Sequence, residues 1–393
     1  MKKDSILLLT KDAQCKSYYP VYGGEHWKGK MPNLEELAAK GTVFNHCYTL
    51  APSSNMSYLG VFTMKFPYQQ EIKRYVHLSH DYEGDTLFTK ATSLGFECHI
   101  MWDDSWSPDV NYCRCYKLAT IHDMQNLKQA VGSHFLHEGE LEENAEREEA
   151  TFNRFFQIVE EFLDTDKKIF LWCHLPHVLN GRVNYGGDMD LYDRYIGRFR
   201  NYFSDENIFI SADHGNMNGA KGKVGYGFDV YENAINIPLI SPLMENRHVI
   251  NDNVCNIDFF DLIFNRQVVR REIIFSDSAY YAQPNRKLAI VYGRYRYIYN
   301  KINQTEELYD IDWDPHQDFN LIDDYIYDVD RHVRTLAKEY YLYPHWKELP
   351  AVRERVRQEL LKIWRNESLQ DRLYWEARNM VVSTVKSLIR FFK

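Results

Sequence analysis

Short unbroken apolar runs alternate along this chain with longer segments whose apolar residues recur every three or four positions. Ile6 to Leu9, Ile169 to Cys173 and Ile208 to Ile210 are bounded by polar or turn residues. That is the pattern of strands buried on both faces of a parallel sheet. Thr42 to Phe44 and Phe96 to Met101 read as further strands. Between them lie helical patterns. Pro32-Asn33 opens one whose apolar face is Leu34, Leu37 and Ala38 and whose stop is Gly41. Asp85 to Leu94 is a second, closed by Gly95, and Tyr192 to Phe203 another. Leu141 to Asp164 is long, acidic in its first half, with a core-facing stripe through Phe152, Phe155, Phe156, Val159 and Phe162. Strand and helix in alternation predict an α/β fold with a mainly parallel sheet covered by helices on both faces.

The texture changes after about residue 270. Arg271 to Phe275, Lys287 to Tyr292 and Arg294 to Asn300 are short strands with turns between them, which predicts a small antiparallel sheet. From Val329 onward the chain reads as helical. Its last stretch places Leu369, Leu373, Ala377, Met380, Val381, Leu388 and Phe392 on one side, and carries Arg372, Arg378, Lys386, Arg390 and Lys393. Such a basic amphipathic end suits packing against the body or a partner, with peripheral contact to an anionic membrane as the minority reading. The expected organisation is a catalytic α/β domain over residues 1–270, a small antiparallel subdomain over 271–328 and a helical tail over 329–393.

Composition narrows the class. The chain has 393 residues, 45% of them hydrophobic, enough for a sizeable core. A net charge of -9 excludes a general nucleic-acid binder, which needs a basic excess against phosphates. Seven cysteines, an odd number, fit reduced thiols better than a disulfide framework. The apolar run near the start is too short for a signal peptide, and none spans a bilayer, so the expectation is a soluble, cytoplasmic protein.

The chemistry gathers at strand ends. The run Ile208 to Ile210 delivers Asp213-His214 into a Gly-containing turn, and the first strand delivers Asp12. Ligands of open α/β sheets bind at such carboxyl ends. Asp and His suit one divalent cation, though an Asp-His pair before a Gly is more often a loop cap. Ser53-Ser54 and the pair His174 and His177 fall in adjoining loops. A metal beside a serine hydroxyl permits covalent attack without a histidine base. Elsewhere Cys113-Arg114-Cys115 near His122 lacks the second cysteine pair of a zinc site, Asp103-Asp104 reads as a solvated loop, and Tyr280-Tyr281 and Tyr340-Tyr341 are compatible with a glycan ligand.

In order along residues 4 to 322 these stretches resemble the sulfatase-type members of the alkaline phosphatase superfamily. DSILLLTKDA resembles the opening strand with its metal-binding Asp, and MPNLEELAAKGTVFNHCYT with the following serine loop resembles the nucleophile segment. DTLFTKATSLGFECHIMW, FLWCHLPHV, DRYIGRF (with Asp193, Ile196 and Gly197), FISADHGN, GKVGYGFDVYENAINIPLIS and the ELYDIDWDPHQDFNLI region resemble further family motifs in sequence order. The resemblance implies an alkaline phosphatase-like fold, Asp12, Asp213 and His214 as ligands of one divalent ion (zinc, manganese, magnesium or calcium), and Ser54 as nucleophile, with Ser53 one register away and Ser57 a poorer candidate. It further implies Lys223 and His177, with His174 second, as contacts to the transferred anion.

Departures from the family pattern set the subtype. Ser54-Asn55-Met56-Ser57-Tyr58 lacks the Pro and the Arg that direct conversion to formylglycine, and Ala13 stands where many sulfatases have a second Asp. Val224 replaces a histidine, and Trp102-Asp103-Asp104-Ser105 replaces a "GKWH" segment. What remains resembles the single-metal core of phosphoglycerol and phosphoethanolamine transferases. The expectation is therefore a metal-dependent hydrolase or transferase acting on a phosphoester of a cell-surface glycan or its precursor. A sulfate-ester hydrolase, and a degenerate, non-catalytic binding module in a glycan-assembly complex, are the alternatives.

Overall fold

The structure, a computed structural model, describes residues 4–66, 69, 84–102, 118–123, 141–175, 189–278, 286–301, 303–322 and 343–366. Strands β1 (Ile6–Lys11), β4 (Phe96–Trp102), β5 (Ala119–Asp123), β6 (Lys168–Leu175) and β7 (Ile208–Ala212) pair in parallel in the order β7-β1-β6-β4-β5. Beyond β7 the same sheet continues through β9 (Leu239–Ser241), β2 (Thr42–Phe44) and β10 (Val249–Ile250). Of its strands only β9 runs against the rest, pairing antiparallel with both β7 and β2.

Strand alternation sorts the core into two layers. Ile6, Leu8, Phe170, Trp172 and Phe209 face one cluster, which includes Met56, Leu59 and Phe62 of helix α2 (Ser54–Thr63), Leu87 and Phe88 of α3 (Leu87–Ser93) and Phe259 and Leu262 of α7 (Phe259–Phe264). Leu7, Leu9, Ile169, Leu171, Ile208 and Ile210 face the other. There they meet α1 (Pro32–Lys40), α4 (Leu141–Leu163) and α5 (Met189–Phe199). Phe152, Phe155, Phe156 and Val159 of α4 are buried in this second layer, as the stripe predicts. Burial on both faces is why β1, β6 and β7 are unbroken apolar runs.

Helix α1 illustrates how a motif acts through packing. Met31 caps it without a side-chain bond, and the cap comes from α5 instead. The Asp193 carboxylate accepts from the amides of Asn33 (3.2 Å) and Leu34 (2.9 Å), so an anion meets the open helix N-terminus. A Cβ on Gly197 would come within 2.8 Å of the Asn33 side chain, which explains the glycine beside Asp193.

A second, antiparallel sheet is the meander β12 (Ile273–Asp277), β13 (Lys287–Tyr292), β14 (Tyr295–Asn300) and β15 (Thr305–Asp310). It packs with α8 (Leu349–Asn366) through Val352, Val356, Leu360 and Ile363 in a third cluster that also takes in Tyr48, Leu50 and Tyr231. A small three-stranded sheet in the order β11 (Val254–Cys255), β3 (Cys47–Tyr48), β8 (Asn236–Ile237) puts Cys47, Ile237 and Val254 in the first cluster and Tyr48 and Cys255 in the third. The sequence pattern did not mark β15, whose TEELYD alternates too weakly, nor the two-residue strands. It also placed Ser53-Ser54 in a loop, whereas Ser54 already begins α2. Ser, Asn, Gly and Thr are poor helix formers, and this helix is nevertheless formed because Met56 to Thr63 are all buried. Helix α5 ends at Phe199, four residues before the expected Phe203.

Five described cysteines, Cys15, Cys47, Cys98, Cys173 and Cys255, are free and buried, in line with reduced thiols. Among the described residues no helix is long and apolar enough to cross a membrane. The basic end after residue 366, His177, Asp103-Asp104, Cys113-Cys115 and both tyrosine pairs lie outside the described residues.

Candidate active site

Parallel pairing puts the ends of β1, β6 and β7 side by side, with Lys11 level with Leu175 and Ala212. The next residue on each side of β1 therefore emerges at one edge, and Asp12 and Asp213 come together although they are far apart in sequence. Asp12 is held by its amide, which donates to Leu175 O at 2.9 Å. Asp213 Oδ1 accepts from the amides of Ala13 (2.9 Å) and His214 (2.7 Å). Ala13 adopts a left-handed conformation, φ 51°, which aims its amide at Asp213.

Asp12, Asp213 and His214 are all buried, and each offers one ligand atom within 4.8 Å of the others. His214 Nδ1 lies 2.8 Å from Gly215 O. A carbonyl can only accept, so Nδ1 is the donor there and Nε2 is the atom turned toward the carboxylates. Nε2 faces Asp213 Oδ2 at 3.3 Å and Asp12 Oδ1 at 3.5 Å. Asp213 Oδ2 itself is buried without a hydrogen-bond partner. Burial pushes the Asp213 carboxyl above its usual range; the His214 ring opposes this and the Asp12 charge adds to it. Electron-rich atoms converge here with too few protons among them, and a divalent cation is what satisfies such a set. The residues fit the metal that the resemblance implies. A serine-protease-like triad does not fit, because there the carboxylate would hold Nδ1.

Ser54 completes the group. Its hydroxyl donates to Asp12 Oδ1 at 3.3 Å and lies 3.2 Å from His214 Nε2. Ser53 is the buried N-cap residue and makes no capping bond. One turn further, Ser57 is fully engaged: it donates to Asp213 O (2.7 Å) and accepts from Thr49 Oγ1 (2.8 Å) and Asn256 Nδ2 (3.0 Å). Ser57 thereby ties α2 to the backbone of Asp213. Thr49 and Asn256 are contributions that no local pattern announced.

His174 is buried at the end of β6, where Nδ1 meets Thr10 Oγ1 at 3.0 Å and the Tyr58 hydroxyl. The Trp172 indole donates to the same Thr10 hydroxyl at 3.0 Å. Tyr58 follows Ser54 by one turn of α2, so this network lies beneath the start of α2; burial, then Asp213, hold the Tyr58 phenol protonated. Lys223 meets Asp229 Oδ1 at 2.8 Å, on the loop that leaves His214. Tyr226 of that loop packs its ring 4.7 Å from the His214 ring. The loop starts tightly: Gly215 donates to Ala234 O at 2.9 Å, and a Cβ there would sit 1.9 Å from Asn233 O. Cys15 bridges below, donating to Asn216 O at 2.8 Å, and burial lifts its thiol to about 12, which makes it a structural group.

No family model matches the chain, and no curated protein matches it. Solved structures do. A protein from Bacteroides thetaiotaomicron VPI-5482 named as a candidate sulfatase aligns with a TM-score of 0.63 at 14% identity, over 91% of this chain and 94% of that one. The phosphonate monoester hydrolase of Agrobacterium radiobacter aligns at 0.61 and 13% identity, over 93% and 96%. A 2-O GAG sulfatase aligns at 0.62 and 13%, over 86% and 91%. The chain has the fold shared by the sulfatases of the alkaline phosphatase-like superfamily, a mostly parallel sheet with helices on both faces followed by a small antiparallel sheet and a helix.

Proposed function

We propose that this chain is a metal-dependent hydrolase or transferase that cleaves a phosphoester through Ser54, with a cell-surface glycan or its precursor as the substrate class. The observation that carries the reading is the Ser54 hydroxyl lying within hydrogen-bond reach of both Asp12 and His214, beside the unpartnered Asp213 oxygen. Asp12, Asp213 and His214 would hold one divalent ion, which supplies charge to lower the serine pKa and to polarise an ester oxygen. Ser54 Oγ gives its proton toward Asp12 Oδ1 and attacks phosphorus; the Oγ–P bond forms, the bond to the leaving oxygen breaks, and that oxygen takes a proton from solvent and departs as the alcohol. Water or a sugar hydroxyl then takes the phosphoryl group and restores the serine. Lys223, and His177 by resemblance, neutralise charge on the transferred group.

Sulfate-ester hydrolysis is the second reading, because two of the aligned structures are named as sulfatases. Against it stands the serine context: Met56 and Tyr58 occupy the places of the Pro and Arg that accompany formylglycine, and both are buried in the core. Ser54→Ala should lower turnover of bis-p-nitrophenyl phosphate by about a thousandfold or more while metal content, measured by mass spectrometry, stays unchanged. Wild-type turnover in the Ser54→Ala protein would sink the nucleophile. Intact mass lower by H2 than the sequence demands, with p-nitrophenyl sulfate the better substrate, would give the site to sulfatase chemistry.

A further inference from the structure

Two lysines from distant parts of the chain meet one carboxylate. Lys223 comes from the loop that leaves His214, and Lys287 opens β13 of the small sheet. Both ammonium groups meet the same atom, Asp229 Oδ1: Lys223 at 2.8 Å, and Lys287 more closely. The three side chains differ in exposure, 38% for Lys223 against 10% for Lys287 and 9% for Asp229. Tyr231 lies under both lysines, with Nζ to ring-centroid distances of 5.1 and 5.4 Å.

We propose that Lys287 is a positioning residue that frees Lys223 to serve the substrate's anion, by neutralising Asp229 whenever Lys223 leaves it. This rests on the anion role given to Lys223 above. Asp229 is nearly buried, and removing a sole partner would strand its charge, so a simple Lys223–Asp229 pair would hold the lysine back. With Lys287 present, the carboxylate keeps a partner through the exchange. Two like charges on one oxygen also repel, and the better-solvated lysine is the one with somewhere to go. Burial lowers the proton affinity of Lys287, Asp229 raises it and Lys223 lowers it again, consistent with this crowding.

The parts are placed for the exchange. Lys287 O accepts from the Ser278 amide at 3.0 Å, and the neighbouring Asp277 amide donates to Leu50 O at 2.8 Å, a few residues before Ser54. Tyr226, three residues beyond Lys223, rests on the His214 ring. The small sheet thus reaches the nucleophile loop from one side and the Lys223 loop from the other.

The test is the rate at which acetic anhydride labels Lys223 in the manganese-loaded full chain, followed by peptide mass spectrometry, with and without inorganic phosphate. Lys287→Met should slow labelling of Lys223 by about two- to fivefold, the range of a partly exposed ion pair. Lys287→Met/Asp229→Asn should restore it, and Asp229→Asn alone should speed it, which keeps the test open if the methionine variant folds poorly. Unchanged Lys223 labelling in Lys287→Met, or in Asp229→Asn where the methionine variant is lost, overturns the proposal. If phosphate nonetheless protects Lys223 in the wild type, its anion role survives that failure. If the variants behave as expected but phosphate gives no protection, Lys223 does not serve an anion, and both the inference and that part of the proposed function fall.

Discussion

At the residue scale the centre is defined by an excess of lone pairs. Asp213 is the clearest case: one oxygen takes two backbone amides and the other, without a hydrogen-bond partner, lies 3.3 Å from His214 Nε2. Asp213→Asn keeps the accepting oxygen and turns the unpartnered atom into an N–H donor toward His214 Nε2. The metal-free protein should gain stability, by about 1 kcal/mol if one net hydrogen bond is formed. The same variant should lose the metal-induced rise in melting temperature. Calorimetry with and without added manganese checks both; an unchanged metal response would remove Asp213 from the ligand set. Ser57 belongs to this scale too, because its hydroxyl uses every position it has to join α2, Thr49, Asn256 and Asp213.

At the element scale, β5 is held at the sheet edge by a relay of neutral imidazoles. His122 Nε2 lies 2.9 Å from His99 Nδ1, and His99 Nε2 lies 3.0 Å from Glu97 Oε1, whose partner oxygen binds Lys167. Both rings stack on Phe162 of α4, with centroids 4.6 Å away. His99 must donate to Glu97, so His99 Nδ1 accepts the His122 Nε2 proton, and a further proton can enter only at His122 Nδ1. Burial depresses both histidines, His122 from 6.5 to about 4, with His99 adding to the effect and Glu161 opposing it. A histidine with a lowered folded pKa binds its proton more readily unfolded. Its stabilising contribution is therefore present above about pH 6.5 and is lost as pH falls toward 4. Hydrogen-exchange protection over residues 96–102 and 119–123, taken relative to the intrinsic exchange rate at each pH, should fall steeply between pH 7 and pH 5, and His122→Gln should flatten that fall. Equal protection at both pH values would contradict the relay.

At the scale of the whole molecule, the antiparallel sheet is joined to the small three-stranded sheet through buried charge. Arg296 of β14 binds Glu232 and the Tyr48 hydroxyl, and its guanidinium lies 4.6 Å from the Tyr48 ring centroid. Glu232 also accepts from Asn236 Nδ2 at 2.7 Å. Arg296→Met leaves a buried carboxylate bare and should cost about 3–5 kcal/mol in urea unfolding. Arg296→Met/Glu232→Gln should recover most of that loss. If the double variant is no better than the single, the ion pair is not what couples the two sheets. The same junction carries Asp277 to Leu50 and Lys287 to Asp229, so loosening it should weaken phosphate protection of Lys223 as well.

Periodicity and short-range composition were enough for the main strands, the core-facing stripes of α1 and α4, and the small antiparallel sheet. A strand buried on both faces must be apolar throughout, and a strand end must release its polar residue, so Asp12 and Asp213-His214 were visible as residues at sheet edges. Ser54, with Ser53 one register away, was singled out only through the family resemblance. Only the tertiary structure decided that α2 exists at all, since burial rather than propensity holds SNMSYLGVFT in a helix. It alone brought Ser57 to Asn256, His99 to His122, and Lys287 to the carboxylate already held by Lys223. Those pairings join residues that are separate in sequence, and no local pattern records which buried polar groups will meet. The physical reason is the same throughout: burial pattern is imprinted residue by residue, whereas the satisfaction of a buried charge depends on which chain segments the fold makes neighbours.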